Sequence, residues 1–114
     1  MPLYDWESVE KEQLNPLVAR KVIHTGGMTL ARIYIGKGGR VPEHTHENEQ
    51  MTILLEGRLR FVIAGQERVI VPGQMIQTPP NLPHWVEAIE DVVALDIFVP
   101  RRDDWIRGDD AYLR

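Results

Sequence analysis

The fold of this chain is decided by residues 38–57, which read GGRVPEHTHENEQMTILLEG. This stretch contains five residues at regular positions: Gly38, His44, His46, Gln50 and Gly57. The gaps between successive members are five, one, three and six residues long. The whole chain holds only four histidines, so this spacing is too regular to be incidental. Imidazole nitrogens are common metal ligands, and the stretch therefore indicates a metal site.

The candidate ligands share one side of an extended chain, where side chains two positions apart point the same way. His44, His46 and Gln50 have this parity, and three glutamates take the opposite side: Glu43, Glu47 and Glu49. A bend between positions 47 and 49 would let Glu47 or Glu49 replace Gln50, so both stay open as alternatives. The sequence by itself thus predicts two histidine ligands and one ligand still to be chosen.

Composition narrows the class of protein further. The 114 residues are enough for one domain, 1–114, with a core expected over about 16–100. Lys and Arg total 13 against 17 Asp and Glu, and they are dispersed, which argues against a nucleic-acid partner. Cysteine is absent, so any metal must be held by nitrogen and oxygen. No apolar stretch approaches the ~20 residues of a membrane span, and a cytoplasmic protein is expected.

Short segments between frequent turn signals predict an all-β protein, either a sandwich or a barrel. The clearest is 59–63, where Leu59, Phe61 and Ile63 alternate with charged Arg58 and Arg60. The other predicted strands are 18–24, 28–35, 50–55, 68–71, 75–78, 85–88 and 92–99.

The two ends of the chain differ from this middle. Residues 4–14 are expected to begin as a short strand or turn, with a weak helical alternative over 8–14 that Asn15-Pro16 would stop. Residues 101–114 form a charged tail, expected to be solvated or to contain a short helix pinned by Trp105. Exposed sheet edges favour a homodimer, to which Tyr4 and Trp6 are candidate contacts.

Asp96 is the one carboxylate within the otherwise apolar strand 92–99. Burying it unpaired would be expensive, so it should face a metal, a cation or a polar cavity. It shares parity with Phe98, and the two would border the metal if this face lines the interior. The alternative is an ion pair with Arg32 or Arg60 that holds the sheets together. His24 lies outside these patterns, and a structural role is expected for it.

These motifs resemble the cupin superfamily. Its first motif has the spacing of residues 38–57, with a glutamate where this chain has Gln50. Its second motif is matched by Gly73, Pro79 and His84, while Asn81 stands in place of a glycine and Ala88 in place of an asparagine. The resemblance implies a jelly-roll barrel, the cupin double-stranded β-helix, with a short irregular N-terminus and a charged C-terminal tail. It also implies a metal bound inside the barrel by His44, His46, Gln50 and His84.

A neutral ligand set would leave the two positive charges of a divalent ion uncompensated, so an anionic substrate would be favoured at such a site. Ligand type restricts the ion without choosing among nickel, zinc, manganese and iron.

Within the cupins, the chain resembles the KdgF family of uronate catabolism. Three features carry the resemblance: His44-x-His46 with Glu49-Gln50, the run 79–84, and the run 95–105. It implies ring opening of 4,5-unsaturated monouronates from pectin or alginate to 5-keto-4-deoxyuronate. Asp96 would be the general acid and base, Arg102 would serve catalysis and substrate binding, and Phe98 would wall the sugar. Arg101 is an alternative to Arg102, because alternation cannot decide after Pro100.

Two other functions remain open on this scaffold. Three histidines also suit a metal-dependent dioxygenase of a small organic acid. Many small cupins bind sugar acids or other small molecules without turnover, although a buried Asp96 argues against that function. In either case the expected partner is a small anionic molecule.

Overall fold

Two antiparallel β-sheets face each other across a hydrophobic interior in a computed structural model that describes residues 1–114. The strands are β1 (Glu12–Asn15), β2 (Val18–His24), β3 (Thr29–Ile35), β4 (Arg40–His44), β5 (Glu49–Glu56), β6 (Leu59–Ile63), β7 (Gln66–Ile70), β8 (Met75–Thr78), β9 (His84–Ala88) and β10 (Val92–Val99). One sheet has the order β1-β2-β3-β10-β5-β8, and the other has the order β4-β9-β6-β7. The all-β jelly-roll prediction is confirmed.

Strand alternation builds the interior, as β6 illustrates. Leu59 and Phe61 are 2% and 1% exposed, whereas Arg60 between them points outward to Glu87. Full burial of a side chain such as Phe61 contributes roughly 1.5–3 kcal/mol. The same two-residue period buries Ala31, Ile33 and Ile35 on β3 of the facing sheet.

The even-numbered face of β10 lines the interior. This strand lies between β3 and β5, with Phe98 opposite Gln50 and Asp96 opposite Thr52. Ala94 and Phe98 are each only 2% exposed. The lone carboxylate of this strand therefore points into the barrel, on the same face as the phenyl ring.

Two tight turns explain the residue types at two positions of the cupin motifs, Gly57 and Asn81. Gly57 has φ +89°, and a Cβ there would collide with the carbonyl of Asp91. Asn81 has φ +64°, a left-handed backbone that asparagine tolerates better than most residues. Asparagine at 81 thus preserves the turn in which the second cupin motif has glycine.

At residues 4–14 the expectation of a short strand or turn is confirmed, and the helical alternative over 8–14 is wrong. The structure has a 3-10 turn at Trp6–Ser8 and then β1, which pairs with β2 and buries Leu14. Tertiary pairing overrides a weak local preference here, and the sheet begins at Glu12 rather than near residue 16. Tyr4 is 54% exposed and Trp6 is half-buried, so their contact with a second copy stays a prediction.

Strand β4 was also absent from the predicted strands. It contains Pro42 and is largely exposed, features that weaken a strand pattern. It forms one edge of the smaller sheet, where a proline is tolerated. None of the helices in the structure is long and apolar enough to span a membrane.

Residues 101–114 do more than form a solvated tail. Helix α1 (Asp103–Arg107) buries Trp105, as the sequence predicted, and a 3-10 turn at Ala111–Leu113 follows. We call residues 109–114 the strap. It packs beside β4, with Asp110 and Leu113 buried. Asp110 Oδ2 lies 2.5 Å from Arg20 Nη2, which makes a buried ion pair between the strap and β2.

Hydrogen bonding controls the charge state of Asp110. Burial alone would raise the pKa of this carboxyl, but hydrogen bonds from Arg20 and Arg114 hold the pKa below its ordinary value. A group with a lowered pKa stabilises the fold above its unfolded pKa, and this contribution is lost as pH falls through the lowered pKa.

We expect Asp110→Ala to lower the free energy of unfolding by about 3 kcal/mol at pH 7, because Arg20 then stays buried with only the longer 3.5 Å contact to the partly exposed Glu12. The matched control, Asp109→Ala, removes an exposed ion pair with Arg107 and should cost under about 1 kcal/mol. The gap between the two variants should narrow below about pH 4. Urea unfolding measures both, and equal losses at pH 7 would contradict a structural role for the buried pair.

Candidate metal centre

Three histidines converge inside the barrel. His44 ends β4 and His84 begins β9, and the two residues lie opposite each other in the antiparallel pair. His46 follows β4 in a loop and is 9% exposed. One ligand nitrogen from each ring lies within 4.8 Å of the others, which is a suitable arrangement for a metal ion.

Backbone carbonyls orient all three imidazole rings. The Nδ1 atoms of His44, His46 and His84 lie 2.7, 3.0 and 2.8 Å from the carbonyl oxygens of Pro42, Asn48 and Leu82, respectively. A carbonyl can only accept, so each Nδ1 carries the hydrogen and donates it. Each Nε2 is therefore left with a free lone pair, and such hydrogen bonds orient the histidines of metal sites in the same way.

Gln50 adds an oxygen to this cluster. Its amide nitrogen donates to Thr52 Oγ1 at 3.0 Å and to Asp96 Oδ1 at 3.2 Å, and this turns Oε1 toward the histidines. Oε1 lies 3.1 Å from His46 Nε2, which itself lies 3.2 Å from His84 Nε2. Three acceptors thus meet with no hydrogen between them, and a cation fits this arrangement.

The alternative ligands lie elsewhere. Glu47 and Glu49 are exposed, and Glu49 accepts a hydrogen bond from Gln77 at 2.8 Å on the outer surface. Glu43 is exposed as well. His24 is separate from the cluster and contacts Thr29 Oγ1 at 2.7 Å.

Burial keeps the clustered histidines neutral. Desolvation lowers the pKa of His44 and of His46 to about 4, and it also lowers the pKa of His84. Neutral imidazole is the form that binds metals. The rings are therefore ready for a cation at neutral pH without first losing a proton.

Asp96 borders the cluster and makes no ion pair. Its Oδ1 accepts hydrogen bonds from Thr52 and Gln50. Arg60 pairs instead with Glu67 and Glu87, and Arg32 lies over the ring of Tyr34, so the predicted alternative of a structural ion pair is wrong. Burial raises the pKa of Asp96 to about 6, although the two hydrogen bonds oppose the rise.

Arg102, rather than Arg101, lies at the cavity. It is 1% exposed, and its guanidinium carbon lies 4.7 Å from the Phe98 ring centroid and 4.4 Å from that of Trp105. Its Nε and Nη2 donate to the two carboxylate oxygens of Asp104 at 3.0 and 2.9 Å. Arg101 pairs with the exposed Asp103 outside the barrel.

Arg102, Asp96 and Gln50 line one cavity inside the barrel together with two of the histidines, His44 and His84. Most of its wall is apolar, and its polar groups include His44, Gln50, Asp96 and Arg102. Phe98 packs edge-on against His46, with ring centroids 5.7 Å apart.

Sequence reasoning missed three polar groups of this cavity: Thr52, Arg20 and Tyr112. Thr52 was within reach, because it follows Gln50 by two residues on β5 and so shares its face. Arg20 shares parity with Val18 on β2, which was a weaker signal. No sequence signal pointed to Tyr112, since its position depends on how the strap folds back against the barrel.

The profile of the Cupin domain family matches residues 31–98, more than half of the chain. With its two sheets and its interior histidines, the chain belongs to the cupin family. It is 26% identical over 98 residues to the pectin degradation protein KdgF of Dickeya dadantii (strain 3937), covering 83% of this chain and 89% of that protein. The structure of KdgF from Halomonas sp. superposes with a TM-score of 0.86 at 25% identity, covering 92% of this chain and 98% of that one.

A second enzyme is similar over a shorter region. The acireductone dioxygenase of Gluconobacter oxydans (strain 621H) is 35% identical over 77 residues, 60% of this chain and 40% of that protein. Less than half of the dioxygenase is therefore represented here.

We expect the purified protein to carry about one divalent ion and to lose thermal stability when a chelator removes it, because a ligand that binds only the folded state stabilises it. His46→Ala should abolish most metal retention, whereas His24→Ala should retain it. Elemental analysis and thermal unfolding before and after chelation measure both effects. Equal metal content in the two variants would rule out His46 as a ligand.

Proposed function

We propose that this protein is a metal-dependent enzyme that opens the ring of 4,5-unsaturated monouronates to give 5-keto-4-deoxyuronate. The observation that carries the proposal is the Gln50 amide, whose oxygen faces the histidine cluster while its nitrogen donates to Asp96. An acid is thereby coupled to the candidate metal centre, a feature that mere metal storage does not need. Similarity to KdgF over most of both chains supports the substrate class.

The reaction is an isomerisation that needs proton transfers and no co-reactant. The C1 hydroxyl of the cyclic uronate loses a proton, and the C1–O5 bond breaks to leave an aldehyde at C1. C4 of the enol gains a proton as C5 becomes a ketone. A divalent ion held by His44, His46, His84 and Gln50 would supply Lewis-acid polarisation of a substrate oxygen. Nickel, zinc, manganese and iron all suit this donor set.

Asp96 is the residue best suited to move the proton. Burial raises its pKa to about 6, toward the range in which a carboxyl can exchange protons near neutral pH. The Thr52 hydroxyl and the Gln50 amide both donate to one oxygen, Oδ1, which orients the carboxyl. The other oxygen, Oδ2, makes no hydrogen bond within the chain and is free to meet substrate.

Arg102 and Phe98 suit the recognition of the sugar acid. A buried guanidinium attracts a carboxylate strongly where water is excluded. Asp104 already offsets part of its charge through two hydrogen bonds, so Arg102 stays oriented before substrate arrives. Phe98 offers an apolar surface to the ring, and the expected partner is a small anionic sugar acid.

Asp96→Asn should reduce turnover at least about 100-fold while leaving metal content unchanged, because the amide keeps the shape of the side chain but exchanges no proton. The assay follows loss of ultraviolet absorbance from the C4=C5 bond in unsaturated galacturonate and mannuronate. Asp109→Asn, an exposed position, is the control. Full activity in Asp96→Asn would remove Asp96 as the acid, and wild-type turnover at the spontaneous rate would refute the proposed reaction.

A second candidate is a metal-dependent dioxygenase acting on a small organic acid. It is favoured by the three-histidine cluster together with 35% identity to an acireductone dioxygenase over 60% of the chain. Such an enzyme must consume dioxygen, whereas ring opening needs none.

Anaerobic assays separate the two functions. We expect unsaturated uronates to be opened at the same rate in air and under argon, with no dioxygen uptake at an oxygen electrode. Turnover that stops under argon would favour the dioxygenase. A sugar acid that binds and is recovered unchanged under both conditions would favour a non-catalytic binding protein.

A further inference from the structure

The strap brings a tyrosine into the cavity beside the candidate metal centre. The Asp110–Arg20 ion pair holds one end of the strap, and Asn15 Nδ2 donates to the carbonyl of Leu113 at 3.1 Å. Between these anchors, the Tyr112 ring stacks on His44, with centroids 4.7 Å apart and planes inclined by 29°. Tyr112 is therefore held in place from both sides and lines the cavity with Asp96 and Arg102.

The Tyr112 hydroxyl keeps its hydrogen free to donate. Its oxygen accepts hydrogen bonds from Arg102 Nη2 at 2.8 Å and from Trp105 Nε1 at 3.4 Å. A phenolic oxygen has two acceptor positions and one hydrogen, so both acceptor positions are used. The hydroxyl hydrogen has no acceptor within the chain.

A second free donor lies next to it. Arg102 uses Nε and Nη2 for Asp104 and Tyr112, and its Nη1 makes no hydrogen bond within the chain. Because Nη2 of the same guanidinium contacts the Tyr112 oxygen, the two free donors belong to touching groups. A cationic N–H donor beside an O–H donor matches the two oxygens of a carboxylate.

We propose that Tyr112 is a substrate-binding residue that donates a hydrogen bond to the substrate carboxylate alongside Arg102, and so selects acids over neutral sugars. The inference rests on the proposed function for the identity of the substrate. The strap makes this contact possible, because the ion pair between Arg20 and Asp110 fixes the position of the Tyr112 side chain in the cavity.

The test is equilibrium binding of galacturonate and of galactose to the metal-loaded protein by calorimetry. Galacturonate has no C4=C5 bond to react, and galactose lacks the carboxylate. We expect Tyr112→Phe to weaken galacturonate about tenfold and to leave galactose unchanged, since a hydrogen bond to a charged group is lost while the ring stays on His44. Tyr4→Phe, at an exposed position, is the matched control.

Kinetics provide the second readout. KM for unsaturated galacturonate should rise about tenfold in Tyr112→Phe, with kcat within about twofold of wild type and metal content unchanged. Unchanged selectivity for galacturonate in Tyr112→Phe would overturn the inference. So would equal weakening of both sugars, or a wild-type protein that does not prefer the acid.

Failure of the proposed function is distinguishable from failure of this inference. Selective weakening of galacturonate in a protein that opens no uronate would refute the reaction and support Tyr112 as a carboxylate ligand. Normal ring opening with an unchanged KM in Tyr112→Phe would support the reaction and refute the role of Tyr112.

Discussion

Antiparallel pairing of β4 with β9 sets His44 directly opposite His84, and the rest of the site depends on this register. A slip of one residue would turn one imidazole to the outer face of the sheet, because side chains alternate. The larger sheet supplies the complementary half, since β5 and β10 set Gln50 opposite Phe98 and Thr52 opposite Asp96. The centre is thus formed where two independent registers face each other across one core.

Much of this arrangement could be predicted from the two-residue period of strands. Parity grouped His44, His46 and Gln50, and in the structure these side chains meet while Glu43, Glu47 and Glu49 stay in solvent. Parity also paired Asp96 with Phe98 on the face that lines the interior. These inferences needed only the alternation of side chains along a strand and the cost of burying an unpaired carboxylate. Both can be judged from a short stretch of sequence.

The remaining features depend on contacts between distant parts of the chain. Arg20 and Asp110 are 90 residues apart, and the sequence around either residue does not predict that it pairs with the other. Alternation ends at Pro100, so only the packing of Trp105 and the Asp104 carboxylate separates Arg102 from Arg101. The helical alternative for residues 8–14 fails for the same reason, because the pairing of β1 with β2 and the burial of Leu14 outweigh a weak local preference.

Gln50 differs from the glutamate of the first cupin motif because its amide carries hydrogens, one of which it donates to Asp96. A glutamate at this position would put a second carboxylate about 3.2 Å from Asp96 Oδ1, where the amide nitrogen now donates. Two carboxylates that close repel each other's charge, which raises the pKa of one of them, so the acid would no longer titrate independently. Positions 50 and 96 are therefore one chemical unit, and a change of charge at either one restricts what the other can be.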